Sequence, residues 1–368
     1  MKISELLCAI NELAPFSLQE DYDNSGLLVG DPDKEVSKGL ITLDITEDVL
    51  DEAIQNKCDV VISHHPFIFD GLKKVTGEKP AEKLLVKAIK NDLSVISVHT
   101  NLDTVYSGVN SKLSELIGLE NVKVLSSKKG LLKKLVVFCP KDHSDDVRMA
   151  IFKAGAGKIG DYDWCSYNIR GKGSFRAGEG ANPFVGNVNE LHYEEEDRIE
   201  TIYPSYIEKE VINAMINAHP YEEVAYDLYP LDNEFDRVGA GMIGQLKSPM
   251  PVNKFLSLLE NKFQTGVIRY NSNFEKEIKT VALCGGSGSF LLDKAIAAGA
   301  DAFVTADVKY HLFFEAKEKI LIADIGHYES EQFTKDLLYE MISKKFINFA
   351  LQISETNTNP VQYFRTKQ

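Results

Sequence analysis

Residues 39–65, GLITLDITEDVLDEAIQNKCDVVISHH, decide the fold. An apolar, β-branched run (39–46) leads into a segment whose apolar residues recur at helical spacing (46–58), and that leads into a second β-branched run (59–63). Strand, helix, strand in this order predicts parallel pairing through a crossover helix, the unit of a layered α/β sheet. The alternation continues through EKLLVKAIKND (82–92), SVISVHT (94–100) and GVNSKLSELIGL (108–119). It returns late in the chain with IKTVALC (278–284), FLLDKAIAAG (290–299), AFVTA (302–306), KYHLFFEAKE (309–318), ILIADIG (320–326), SEQFTKDLLYEMISKK (330–345) and a last strand, FINFALQI (346–353).

The segment between these halves reads differently. KKLVVFCP (133–140) and helix SDDVRMAIFKAG (144–155) precede a glycine-rich stretch, which RIETIYP (198–204), helix YIEKEVINAMINA (206–218) and EEVAYDLYP (222–230) follow. Two β-α-β halves joined by a long glycine-rich hairpin region predict a ferredoxin-like α+β sandwich inserted into the main domain. The expected organisation is a main α/β domain of two similar halves, 1–127 and 235–368, interrupted by an inserted domain at 128–234. EEED at 194–197 reads as a solvated loop.

With 368 residues, 44% of them hydrophobic, the chain buries a core without staples and exceeds the size of a single one. Its five cysteines are an odd number without zinc-knuckle spacing, so a disulfide framework is not expected and a reducing, cytoplasmic setting is. Ile3, Leu6, Leu7, Ile10 and Leu13 form one stripe interrupted by Glu5 and Glu12, an amphipathic core helix rather than a secretory h-region. No stretch approaches the length of a membrane span, so no membrane partner is expected. The net charge of −14 repels a phosphate backbone and disfavours nucleic acid as partner.

The polar residues fall at the carboxyl ends of the expected strands, where ligands of open α/β sheets bind. His64 and His65 follow VVIS, Asp103 follows SVISV, GGSGS (285–289) follows TVALC, TADV (305–308) follows AFV, and GHYESE (326–331) follows ILIADI. Imidazole and carboxylate together suit Zn first, and Mn, Fe, Co or Ni. His327 and Glu331 lie one helical turn apart and can grip one site. Five ligands, His64, His65, Asp103, His327 and Glu331, exceed one open catalytic zinc and suit two divalent ions sharing a carboxylate. The plainer alternative makes the two histidines hydrogen-bonded strand-end residues.

Other positions stay open at this stage. The GGSGS loop is either a phosphate cradle or a plain strand-to-helix turn. His311 is a candidate general base or substrate donor, set against an exposed helical histidine. His99 is a partner of the ligands or a core histidine, and Asp44 either orients a metal-bound histidine, holds substrate, or is a buried hydrogen-bonded carboxylate.

On DNSGLLVG (23–30), ISHHPFIF (62–69), HTNLD (99–103), GGSGS, TADV and GHYESE, the chain resembles the GTP cyclohydrolase 1 type 2 homologue family, also called NIF-three-like or DUF34. GANPFVG (180–186) and AHPYEEVAYD (218–227) resemble the PII-like or CutA-like insertion of its longer bacterial members. The resemblance implies a dinuclear divalent site on the same five residues and a toroidal homohexamer with the metal sites facing an internal cavity. The family name carries GTP ring opening by metal-activated water, hence a small-molecule substrate with a nucleotide among the candidates. The contrasting expectation is a non-catalytic metal-binding regulator or scaffold with a PII-like sensing domain. Tyr22, Ala306 and Tyr310 depart from the family's usual tryptophan, glycine and histidine, the latter two beside His311.

Overall fold

A computed structural model describes residues 1–271, 274 and 276–364. The chain divides into two compact units, one made of residues 1–127 with those from 236 onward, the other of residues 128–235.

In the larger unit, strand Val60–Ser63 is buried along its whole length, because parallel neighbours flank it on both sides and helices cover the sheet. It pairs with Lys38–Thr42 and Ser94–Ser97, and the sheet ends on the antiparallel edge strand Gly26–Val29. Helix Glu47–Gln55 makes the first crossover: the Thr46 hydroxyl accepts from the Val49 amide at 3.2 Å, and Glu47 and Asp48 stand in the first turn, where they favour the helix dipole. The return helix Pro80–Lys90 starts with Pro80 at its first position and ends with Lys87 and Lys90. Val49, Leu50, Ala53, Leu84 and Ala88 from these helices close over Leu40, Val61 and Val95.

The expected α/β class is therefore present, with one exchange. Strand Ala350–Ile353, expected to finish the second half, pairs in parallel with Lys38–Thr42 and belongs to the first sheet. The second sheet has the order Arg269–Tyr270, Leu321–Asp324, Ala302–Thr305, Ile278–Leu283, Glu234–Met250, Leu119–Lys129, with parallel pairing among the strands at 278–283, 302–305 and 321–324. Two separate sheets thus carry the strand ends that the alternation alone assigns to one.

The smaller unit has the chain order β-α-β-β-α-β and an antiparallel sheet ordered Tyr167–Arg176, Leu191–Pro204, Leu132–Pro140, Tyr226–Leu231, a ferredoxin-like sandwich. Helices Ser144–Lys153 and Glu208–Ala218 pack Val147, Ile151, Val211 and Met215 onto Leu135, Val137 and Ile199. Residues 194–197 correct the loop expectation. They lie in strand Leu191–Pro204, where Glu195 faces Lys172 and Asp197 faces Arg170, so cross-strand charge pairing holds an acidic run in a sheet.

Candidate metal centre

The first parallel strands extend past their last ladder residue. The His64 amide donates to Thr42 O at 3.2 Å and the His65 amide to Leu43 O at 2.9 Å, which fixes the backbone of both histidines at the sheet's carboxyl edge. Their side chains then diverge. His64 is fully buried, and its Nδ1 lies 2.8 Å from Val98 O; a carbonyl only accepts, so Nδ1 carries the proton and Nε2 is left as a lone-pair donor. Nδ1 of His65 lies 2.7 Å from Asp44 Oδ1, and Nδ1 of His327 lies 2.7 Å from Asp307 Oδ2. Each imidazole is thereby locked in one orientation with Nε2 facing inward, the arrangement by which carboxylates and carbonyls orient metal-binding histidines.

The inward atoms meet at Glu331. Its Oε2 lies 3.0 Å from Nε2 of His65 and 3.0 Å from Nε2 of His327, while Oε1 lies 4.0 Å from Nε2 of His64, which in turn is 3.6 Å from Asp103 Oδ1. Helix His327–Glu331 starts at the end of strand Leu321–Asp324, so the i,i+4 spacing places His327 and Glu331 on one face. Glu331 is nearly inaccessible, and the approach of its carboxylate depends on Gly286, which has φ +57° and no Cβ to fill the space. The five candidate ligands therefore converge in space.

One of the converging atoms, His64 Nε2, is buried and has no hydrogen-bond partner, and Glu331 Oε2 has no neighbour of that kind except the two imidazole Nε2 atoms at 3.0 Å. Orphaned buried polar atoms of this kind are costly unless something satisfies them. Two overlapping groups, His64 with His65 and His99, and His65 with His327 and Glu331, bring potential ligand atoms within 4.8 Å of one another. The donor set and the orphaned His64 Nε2 fit a divalent cation.

The protonation pattern follows from the same crowding. Burial pulls His64 down to about 3, so it stays neutral. Burial also works against charging His65, yet the carboxylates of Asp44 and Glu331 overcome it and raise His65 to about 10. The Glu331 carboxylate, with help from Asp307 and against burial, raises His327 to about 9. Burial and the charge of Glu331 push Asp103 well above the carboxylate range; Glu331, despite burial, is held well below it by His327 and His65. Without a cation, imidazolium groups neutralise the carboxylate that a cation would otherwise occupy.

Several residues outside the expected ligand set hold it in place. Asp23 accepts from His99 Nδ1 at 2.8 Å and from the Thr100 amide at 3.0 Å, leaving His99 Nε2 for the cavity that His99 lines; burial opposes charging Asp23, but these donors hold it well below its usual range. Asn110 donates to Asp103 O at 2.9 Å and accepts from the Gly285 amide at 2.9 Å, tying the two halves of the site together. Thr358 donates to the second oxygen of Asp44 at 2.5 Å. Asp307 stands in TADV just after a strand and Asp23 in the motif DNSGLLVG just before one, and both were usable signals; Thr358, far along the chain, offered none.

His311 is exposed at the start of the short helix Leu312–Glu315, its ring 5.5 Å from that of Tyr310, and it does not line the cavity. The cavity lined by His65, Asp103, His327 and Glu331 has a volume of about 1070 Å³, ample for a small molecule, and its wall includes Tyr22, Phe69, Phe290 and Tyr363. All five cysteines are free, and among the described residues no helix is long and apolar enough to cross a membrane.

Residues 1–360 match the family Duf34/NIF3 (NGG1p interacting factor 3). The chain is 38% identical over 365 residues to the GTP cyclohydrolase 1 type 2 homolog of Bacillus subtilis, covering 98% of each chain, and 38% identical over 355 residues to that of Halalkalibacterium halodurans, covering 95% of each. Its fold matches the crystal structure of a Bacillus cereus protein related to NIF3 with a TM-score of 0.87, at 37% identity and 99% coverage of both chains. The chain belongs to the Duf34/NIF3 family.

Proposed function

We propose that the protein is a metal-dependent hydrolase holding two divalent ions, zinc first among the candidates, on His64, His65, Asp103, His327 and Glu331. The observation that carries this reading is the split of one buried carboxylate between two sets of donors. Glu331 turns Oε2 to His65 and His327 and Oε1 to His64, with Asp103 beside His64, so it would help to hold both ions when they are bound. Bound divalent ions would supply Lewis acidity and a water acidified toward neutral pH.

The rest of the chemistry falls to side chains of this chain. Asp44 and Asp307 hold the imidazoles of His65 and His327, His64 and Glu331 are shielded from water by burial, and His99, oriented by Asp23, stands where a proton can be passed to a leaving group. The name of the bacterial relatives directs the reaction to a purine ring. Hydrolysis there adds the water oxygen to C8 with one proton going to N7, then breaks the C8–N9 bond as that oxygen becomes a formyl carbonyl, and the second proton goes to N9. Metal analysis of the purified protein should find two equivalents per chain, and a screen of purines, phosphoesters and amides should find turnover that His65→Ala abolishes. Turnover surviving that substitution would sink the mechanism.

The ferredoxin-like topology of the smaller unit also supports a second reading, a metal-holding regulator whose inserted PII-like unit senses a small molecule. Full metal occupancy without turnover of any compound in the screen moves the conclusion to it. A homohexamer belongs to either reading and is read by light scattering.

A further inference from the structure

The cavity wall is chemically one-sided. Besides Asp44, Asp103, Asp307 and Glu331, it carries the carboxylates of Glu20, Asp324 and Glu329, making seven, against one guanidinium, Arg269, and no lysine among the described residues. With both ions bound, the imidazoles neutral and Asp103 ionised, seven carboxylates less one guanidinium leave six negative charges, of which two divalent ions would cancel four. The filled site would still be anionic, inside a chain of net charge −14.

Of the groups that ordinarily receive a phosphate, the cavity's guanidinium and the three glycine amides of the loop are already engaged. Arg269 forms an ion pair with Asp324 and also donates to Val308 O at 3.1 Å, so its charge is balanced within the wall. In the glycine-rich loop the amide of Gly285 donates to Asn110 Oδ1, that of Gly286 to Ser330 Oγ and that of Gly288 to Thr305 Oγ1, each at 2.9 Å. A phosphate cradle needs such amides free and convergent. These glycines serve close packing instead: a Cβ at Gly286 would stand 2.2 Å from Glu331 Oε1, and one at Gly288 would stand 2.4 Å from Cys284 Cβ. Lys309 does not line the cavity.

What the wall does offer is exposed aromatic surface. Phe69 is 50% exposed, Tyr22 69% and Phe290 71%, and all three line the cavity. Flat π faces among carboxylates attract uncharged or cationic ring systems by stacking and cation–π contact.

We propose that the organic ligand of this cavity is a flat heterocycle, neutral or cationic and of base or nucleoside size, and that its phosphorylated forms are excluded by charge. This inference rests on the two-cation hydrolase reading and narrows its substrate class.

The test is calorimetric titration of the full-length protein, saturated with zinc in excess of any chelation by the ligand, with guanosine, GMP and GTP. Guanosine should bind at least about ten-fold tighter than GMP, since a dianion is set against a net negative wall. That gap should narrow as salt rises from about 0.01 M to about 0.15 M, where the screening length falls from about 30 Å to about 8 Å. GMP or GTP binding as tightly as guanosine overturns the proposal, and so does failure of guanosine to bind. Guanosine that binds in the expected order yet is recovered intact after long incubation, with no turnover of any other compound in the screen, overturns the hydrolase reading and leaves the ligand class standing. Faster hydrolysis of the nucleotides than of the nucleoside does the reverse.

Discussion

Gly286 and Glu331 approach so closely that a methyl group on the glycine would stand 2.2 Å from Glu331 Oε1. The contact ties the loop after strand Ile278–Leu283 to the helix after strand Leu321–Asp324, and it leaves the shared carboxylate where three imidazoles reach it.

Gly286→Ala should therefore damage the site twice. The φ of +57° costs an L-residue about 1–2 kcal/mol, and the new Cβ displaces the carboxylate. Thermal unfolding should shift down and metal content should fall below that of the wild type. A variant that keeps its full metal complement would show that Glu331 does not need this approach.

Asp44 holds His65 from behind, and Thr358 holds Asp44. Removing an orienting carboxylate typically weakens metal affinity by about 10–100-fold, so Asp44→Asn should do this in a competition titration against a chelator. Thr358→Val, one bond further out, should cost only a few-fold. Equal losses from both would mean that Thr358 acts on the site by some route other than Asp44.

Metal loading should change the pH profile of stability. In the metal-free protein His65 is raised to about 10 and His327 to about 9, both above the ordinary 6.5, so their contribution is fully present below pH 6.5 and is lost as pH rises through 9 and 10. His64, lowered to about 3, contributes above pH 6.5 and loses that contribution as pH falls through 3. Bound cations require the deprotonated imidazoles, so loading should release the protons of His65 and His327 and flatten the alkaline arm of the Tm profile. Parallel profiles for the two forms between pH 7 and 10, or no proton release in titrations across buffers of different ionisation enthalpy, would contradict this assignment.

Ile62 is fully buried in the strand that ends at the two histidines. Ile62→Ala should cost about 2–5 kcal/mol in denaturant unfolding, the usual range for an isoleucine cavity in a packed core. A loss under about 1 kcal/mol would mean that the sheet collapses into the space.

Much of this architecture was legible in the chain. The βαβ pattern of residues 39–65 required parallel strands, because a crossover helix between two β-branched runs leaves no other short connection, and parallel strands put His64 and His65 at a carboxyl edge. The i,i+4 pair His327 and Glu331 was likewise readable, since helical geometry sets it locally. The acidic run 194–197 misled because the charges that hold it in a strand, Lys172 and Arg170, lie on a neighbouring strand and no local pattern displays them.

By itself the sequence determined which residue types stand at which strand ends, and hence the donor chemistry available to a cation. Only the tertiary structure decided that two sheets rather than one supply those ends, that strand Ala350–Ile353 returns to the first sheet, and that Thr358 reaches Asp44 across 314 positions. It also decided that the three glycine amides of the loop are consumed by Asn110, Ser330 and Thr305, which weakens the phosphate cradle that the loop's composition suggests. The physical reason is range: helical and strand periodicity acts over a few residues, whereas the partners of a buried polar group are chosen by packing among segments far apart in the chain.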